Sequence, residues 1–280
     1  MNLADLLLNL AALLLWWGWR ASGFARPAAP ALVTLTALLR PARRPWYRRA
    51  VYLAGLGGLL ALRSWLYWRV GSQVHWVATM NLTIIVLQFK SASLGRMALY
   101  SLGSFLLALA LFHLWLLLLS VVNRRMPDTD RLQQQVRLHL GWVEHWPVWL
   151  KLLGPWVLAA GLWCAANPWL AALGLVERPA SAFGLCRQAL VIGAVTFLTW
   201  KYLLLAVLFV YFVNNYVYLG AGAFWGYLSD SGRNLVAPLR ALPLRVGKLD
   251  LAPLAAMAVV FWGFGWAEDG LRFLYGRPLL

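Results

Sequence analysis

Charge is scarce in this chain. Asp, Glu, Lys and Arg together make up 12% of its 280 residues, and hydrophobic residues make up 62%. A soluble protein of that length needs more polar surface, so the apolar excess is expected to face lipid. Acids are scarcer than bases, with nine Asp and Glu against 25 Lys and Arg and a formal charge of +16. The arginines alternate with Leu and Trp, and no nucleic-acid recognition module accompanies them. The expected partner of the positive charge is therefore the anionic headgroups of a lipid bilayer, not nucleic acid.

Cysteine is nearly absent. Cys164 and Cys186 stand alone, without C-x-x-C spacing, and read as small apolar fillers rather than as a disulfide or metal site. Catalytic signatures are missing as well: there is no H-E-x-x-H, no Walker loop and no G-x-S-x-G. Every carboxylate falls in or beside an expected loop, so no paired membrane acids are read. The glycines Gly55, Gly57 and Gly58 lie inside an apolar run and suit close helix approach, not a phosphate cradle. No enzyme activity, cofactor or metal is expected. The first apolar run has no basic residues before it, which argues for an uncleaved first span over a signal peptide.

What the chain does have is long apolar runs. Leu3–Trp19 and Ala50–Trp68 read as the first two spans, Met97–Val122 as the third and Leu152–Leu170, with Pro155 in its first turn, as the fourth. Residues 188–219 form either one long tilted helix or a surface segment to Trp200 followed by a span. The sixth span runs from Leu249 to about Trp266, and Glu268–Leu280 is a short tail. Between spans, Ala28–Leu39 reads as interfacial or re-entrant, residues 69–96 as a mixed stretch and 171–187 as a loop. Leu132, Val136, Leu140, Val143 and Trp146 recur at helical spacing, with Gln133, Arg137 and Glu144 opposite, and predict an amphipathic helix on the membrane surface.

The basic residues orient this layout. Segments 20–49, 123–151 and 220–250 hold 16 of the 25 Lys and Arg, against 7 in the segments on the other side. Both termini are therefore expected on the non-cytoplasmic side. The fold class is an all-α polytopic membrane helix bundle in a single membrane domain, 1–280. About six transmembrane helices fall into three span–basic segment–span hairpins, approximately 1–80, 97–175 and 188–280, with interfacial helices.

The last hairpin carries the most particular stretch. Ala237-Pro238-Leu239-Arg240-Ala241-Leu242-Pro243 is followed by Gly247-Lys248-Leu249-Asp250-Leu251-Ala252-Pro253 and then by an apolar helix. Asp250 fits an N-cap and Pro253 the N3 position, while Pro238 and Pro243 prevent one continuous helix. Residues 237–253 resemble the signature of the YggT family of small bacterial and plastid membrane proteins, carried here by Pro238, Arg240, Pro243, Gly247, Asp250 and Pro253. Arg40-Pro41-Ala42-Arg43-Arg44-Pro45 looks like a degenerate earlier copy. The departures are Ala241 for a second Arg and Ala252 for Ser. The resemblance implies a bacterial inner-membrane protein linked to envelope or osmotic stress and to assembly of membrane complexes, with no reaction attached. A channel or carrier for ions or small osmolytes is the alternative, and a membrane protein partner is the expected one for an assembly role.

The candidate intramembrane polar residues are Arg63, His113, Lys201, Asn214 and Asn215. For Arg63 and Lys201 the favoured reading is snorkelling to the outer interface, against an ion path or partner contact. Asn214 and Asn215 either line a polar path or, as favoured, bond a neighbouring helix. His113 invites a haem or proton-relay reading, opposed by the lack of a second His at its depth. For Asp250, capping is favoured over an ion or partner contact at the inner interface.

Overall fold

The structure, a computed structural model, describes residues 3–24, 47–127, 130–177, 179, 181–217, 220, 222–241, 244–246 and 249–276. The expected interfacial run at 28–39, the Arg40–Pro45 copy, Pro243 and Gly247 lie outside the described residues. The described residues are mostly helical, with two short antiparallel strand pairs, Val77–Asn81 with Val86–Lys90 and Arg245–Val246 with Leu249–Asp250. The α-helices among the described residues are α1 (Leu3–Phe24), α2 (Tyr47–Val74), α3 (Leu94–Val122), α4 (Arg131–Leu140), α5 (Val148–Ala172), α6 (Ala182–Leu198), α7 (Trp200–Asn214), α8 (Ala223–Val236) and α9 (Ala252–Gly276). Among the described residues, four helical segments are long and apolar enough to cross a membrane: residues 49–74, 94–122, 148–172 and 182–214. The chain divides into two compact units, 1–81 with 86–109, and 82–85 with 110–280.

In the first unit α1 packs along α2. Their approach is close at Gly18, where a Cβ would meet the Tyr52 ring at 2.6 Å. The stretch read as mixed sequence is a hairpin: β1 (Val77–Asn81) pairs with β2 (Val86–Lys90), Val77 opposite Lys90 and Asn81 opposite Val86. Ala78, Met80, Leu87 and Phe89 point inward and their neighbours outward, the period of two that a half-buried strand pair requires. Gly103 accommodates this hairpin, since a Cβ there would meet Met80 Cε at 2.9 Å.

In the second unit α5 packs along α6, and α9 along α7 and α6. Gly193 permits the first contact: a Cβ at that position would meet the Trp156 carbonyl oxygen at 2.7 Å. Helix α5 begins at Val148, not Leu152, so Pro155 lies inside it rather than in its first turn. The expected loop at 171–187 is shorter, because Ser181 caps α6 by accepting from the Gly184 N–H. Residues 182–214 are one helical run interrupted at Thr199. There the Thr199 N–H reaches back three residues to Thr196 O (3.4 Å), and the hydroxyls of Thr196 and Thr199 bond carbonyls three residues upstream. The expected tail is helical through Gly276, and Arg272 pairs with Glu268 one turn earlier.

Asp130 caps α4, accepting from the N–H groups of Leu132 (2.7 Å) and Gln133 (3.2 Å). The amphipathic pattern is corrected on one point. Gln133, assigned to the polar face, is fully buried, because α8 covers that side and brings Tyr227 to it.

Candidate functional site

The first unit encloses a cluster of polar side chains that apolar composition would not suggest. Three helices each contribute two residues one turn apart: Asp5 and Asn9 on α1, Arg63 and Tyr67 on α2, Tyr100 and Ser104 on α3. Side chains at i and i+4 share a helix face, so each pair points into the same space. Arg63 is 1% exposed and pairs with Asp5 at 2.7 Å. Its guanidinium also donates to Asn9 Oδ1 (2.8 Å) and Ser104 Oγ (3.2 Å), and Asn9 Nδ2 donates to Ser104 Oγ (2.9 Å). The Asp5 carboxylate accepts from the Tyr67 hydroxyl (2.7 Å) and the Tyr100 hydroxyl (3.0 Å). Both tyrosine rings lie 5.4 Å from the guanidinium carbon.

Snorkelling of Arg63 is therefore corrected. The acid that seemed missing is Asp5, inside the first apolar run. An ion pair taken out of water needs its remaining donors and acceptors satisfied; here four further polar groups serve that end, and Arg63 Nε is left without a partner among the described residues. The hairpin covers this cluster with apolar rings: Trp76 packs edge-on to Tyr67 (5.1 Å) and Tyr100 (6.5 Å), and Phe89 lies 5.6 Å from Tyr100.

A second cluster lies in the second unit, where α3, α4 and α5 meet. Ser120 is fully buried, donates to Glu144 Oε2 (2.5 Å) and accepts from Lys151 Nζ (2.9 Å). Lys151 also pairs directly with Glu144 at 3.1 Å, and Arg137 approaches the other carboxylate oxygen at 3.6 Å. One turn along α3, Asn123 donates to Ser231 Oγ (2.6 Å) and accepts from Asn234 (3.1 Å), tying α3 to α8. Tyr227 donates to Gln133 Oε1 (3.0 Å), and burial raises the Tyr227 hydroxyl pKa above its usual value near 10.

At the Thr199 interruption two indoles exchange bonds between helices. Trp115 Nε1 donates to Thr199 O (3.2 Å), and Trp200 Nε1 donates to Leu114 O (3.1 Å). Backbone carbonyls in the middle of helices long and apolar enough to cross a membrane thus find donors without water.

The other residues singled out from sequence are not brought together. Lys201 is half-buried, with its ammonium 4.7 Å from the centroid of the Phe261 ring on α9. Asn214 donates to Ser229 Oγ (3.3 Å), a helix-to-helix bond of the favoured kind, whereas Asn215 is exposed beyond the end of α7. His113 is half-buried against Phe112 (5.6 Å), whose ring also meets His139 (6.2 Å). Among the described residues no group of three or more His, Cys, Asp or Glu is placed to hold a metal. Asp250 ends a two-residue strand, one position ahead of the N-cap rather than at it, and from there its Oδ1 accepts from Ala252 N (3.0 Å) in the first turn of α9, with Pro253 buried as the second helical residue rather than the third. Pro238 and Arg240 lie in a 3-10 turn after α8, where Arg240 donates to the Tyr211 hydroxyl (2.7 Å).

Comparison with protein-family models, characterised proteins and solved structures finds no match to this chain.

Proposed function

We propose that the chain is an integral membrane protein of YggT type, acting as an assembly or scaffold factor in the class linked to envelope or osmotic stress, and not as an enzyme. The observation that carries this reading is the Arg63–Asp5 cluster. The Asp5 carboxylate, the two tyrosine hydroxyls and the two terminal guanidinium nitrogens are turned on one another across three helices of one unit, so they fix helix positions instead of facing a substrate.

The finer architecture belongs to the same proposal: about six spans in three span–basic segment–span hairpins of a bacterial inner membrane. The termini stand on the non-cytoplasmic side, and the basic segments rest on anionic headgroups. Helices α1 and α9 join the four apolar segments as spans. At 1.5 Å per residue they reach about 33 and 37 Å, enough for a hydrocarbon core of about 30 Å. Of the polar residues of α1, Asp5 and Asn9 are buried, Arg20 and Ser22 near its C-terminal end are half-buried, and its exposed side chains include Leu3, Leu6, Leu7, Leu10, Leu14 and Trp17. The face of α1 left to lipid is thus apolar.

Crosslinking and mild-detergent co-purification from native membranes test the assembly role. A reproducible protein partner is expected; recovery of the protein always alone overturns it.

A channel or carrier is the second reading, and one observation favours it. Trp163 Nε1 and Asn167 Nδ2, one turn apart and buried on spanning helix α5, have no hydrogen-bond partner among the described residues, and neither does Gln188 Oε1 on α6. Buried amides in hydrocarbon want a partner, and water or a solute would supply one. Flux into proteoliposomes, with and without Lys201→Ala, decides: flux no greater than in empty vesicles removes this reading.

A further inference from the structure

Three cations of the spanning helices have contrasting surroundings. Arg63 and Lys151 each reach a carboxylate of their own unit, at 2.7 and 3.1 Å. Lys201 has no carboxylate partner among the described residues, and its ammonium lies over the Phe261 ring. It belongs to the 182–214 run, whose 33 residues reach about 50 Å at 1.5 Å per residue. A hydrocarbon core of about 30 Å centred on that run leaves Lys201 roughly 10 Å inside it. To reach the boundary, the lysine stem would have to leave the ring it packs on. A cation at that depth calls for a counter-charge.

The surface beside it is open. Tyr202, next to the half-buried Lys201 on α7, is 69% exposed; on α9, Phe261, whose ring the ammonium lies over, is 56% exposed and Trp262 62%. Aromatic side chains around a central charge are the composition of a protein–protein contact, whereas lipid acyl chains at that depth offer no counter-charge. A second copy of this chain inserted in the same direction does not supply the acid at that level. Asp5 is already paired, and Glu268 and Asp269 stand about 10–12 Å further along α9 than Phe261.

We propose that the α7–α9 face around Lys201 docks a spanning helix of a different protein, and that this helix presents an Asp or Glu to the Lys201 ammonium. The inference rests on the assembly reading above and names the chemistry of the partner. The aromatic rings exclude lipid from the contact, and the buried pair sets both register and orientation of the incoming helix.

The test places a photo-reactive benzoylphenylalanine at position 202 of the full chain in its own host's membranes. The expected result is an adduct to a peptide that carries Asp or Glu within a spanning helix. Its yield falls about tenfold with Lys201→Met, as for loss of roughly one decade of affinity, and is kept with Lys201→Arg. Lys201→Gln is the second neutral variant and is read the same way. For each variant, a single gel-filtration peak in detergent establishes folding. An adduct indifferent to both neutral variants overturns the proposal, as do adducts to phospholipid alone, adducts to a second copy alone, or no adduct. Co-purification from the same membranes separates the two failures. Partners that persist while the adduct ignores Lys201 sink the Lys201 contact and leave the assembly role standing. A protein recovered alone sinks both.

Discussion

Asp5 and Arg63 stand 58 positions apart in sequence and meet at 2.7 Å, both almost wholly buried between α1 and α2. Because each is the other's counter-charge, removing one strands its partner. Arg63→Leu or Asp5→Leu alone is expected to destabilise the folded protein by about 3–5 kcal/mol. The double variant Asp5→Leu with Arg63→Leu is expected to recover most of that loss, since no charge is then left unpaired. Thermal unfolding in detergent measures all three. Single and double variants that lose stability additively would contradict a direct pair.

The indole exchange at Thr199 predicts a smaller effect. Trp115→Phe and Trp200→Phe keep an aromatic ring and remove one helix-to-helix donor each, and each should cost about 1 kcal/mol. Trp262, 62% exposed, serves as the comparison, and Trp262→Phe should leave the unfolding temperature unchanged. Equal effects at all three positions would place the indoles' contribution elsewhere than in these hydrogen bonds.

The spanning helices were legible from sequence for a simple reason: an apolar run of the right length leaves the chain few alternatives. The Asp250 cap was legible too, as an acid just ahead of Pro253 and an apolar helix. What the runs concealed were partners. Asp5, third residue of α1, reads as an end of a loop until a cation 58 residues later needs it. The signal that could have exposed the cluster is a polar pair one turn apart inside each apolar run: Asp5 with Asn9, Arg63 with Tyr67, Tyr100 with Ser104. The hairpin at 77–90 was hidden differently. Ala78, Met80, Leu87 and Phe89 alternate with more exposed side chains, but five residues per strand are too few to stand out between two long helices. The interruption at Thr199 carries neither Gly nor Pro. It comes with threonine hydroxyls bonding to upstream carbonyls and with a tryptophan on another helix, Trp115, donating to Thr199 O, neither of which a local pattern displays.

Tyr227 yields a pH dependence. Its hydroxyl is held neutral in the folded protein because burial raises its pKa above about 10, the value in the unfolded chain. A raised folded pKa contributes stability that is fully present below the unfolded value and is lost as pH rises through the folded one. The neutral hydroxyl donates to Gln133, so Tyr227→Phe should cost about 1 kcal/mol at pH 8, and the gap from the wild type should narrow above pH about 10. Unfolding temperatures of the two proteins across pH 8–11 check this; a gap that widened with pH would reverse the sign of the argument.

Side-specific labelling of single cysteines tests the membrane account most directly. With Cys164 and Cys186 replaced, cysteines are placed at the exposed positions Gln73, Arg125, Ser181 and Tyr216 and probed in sealed, oriented vesicles. The account predicts that Arg125→Cys and Tyr216→Cys react from the cytoplasmic side only, and Gln73→Cys and Ser181→Cys from the opposite side only. Reaction of all four from one side, or a protein that stays dissolved without detergent, would contradict it.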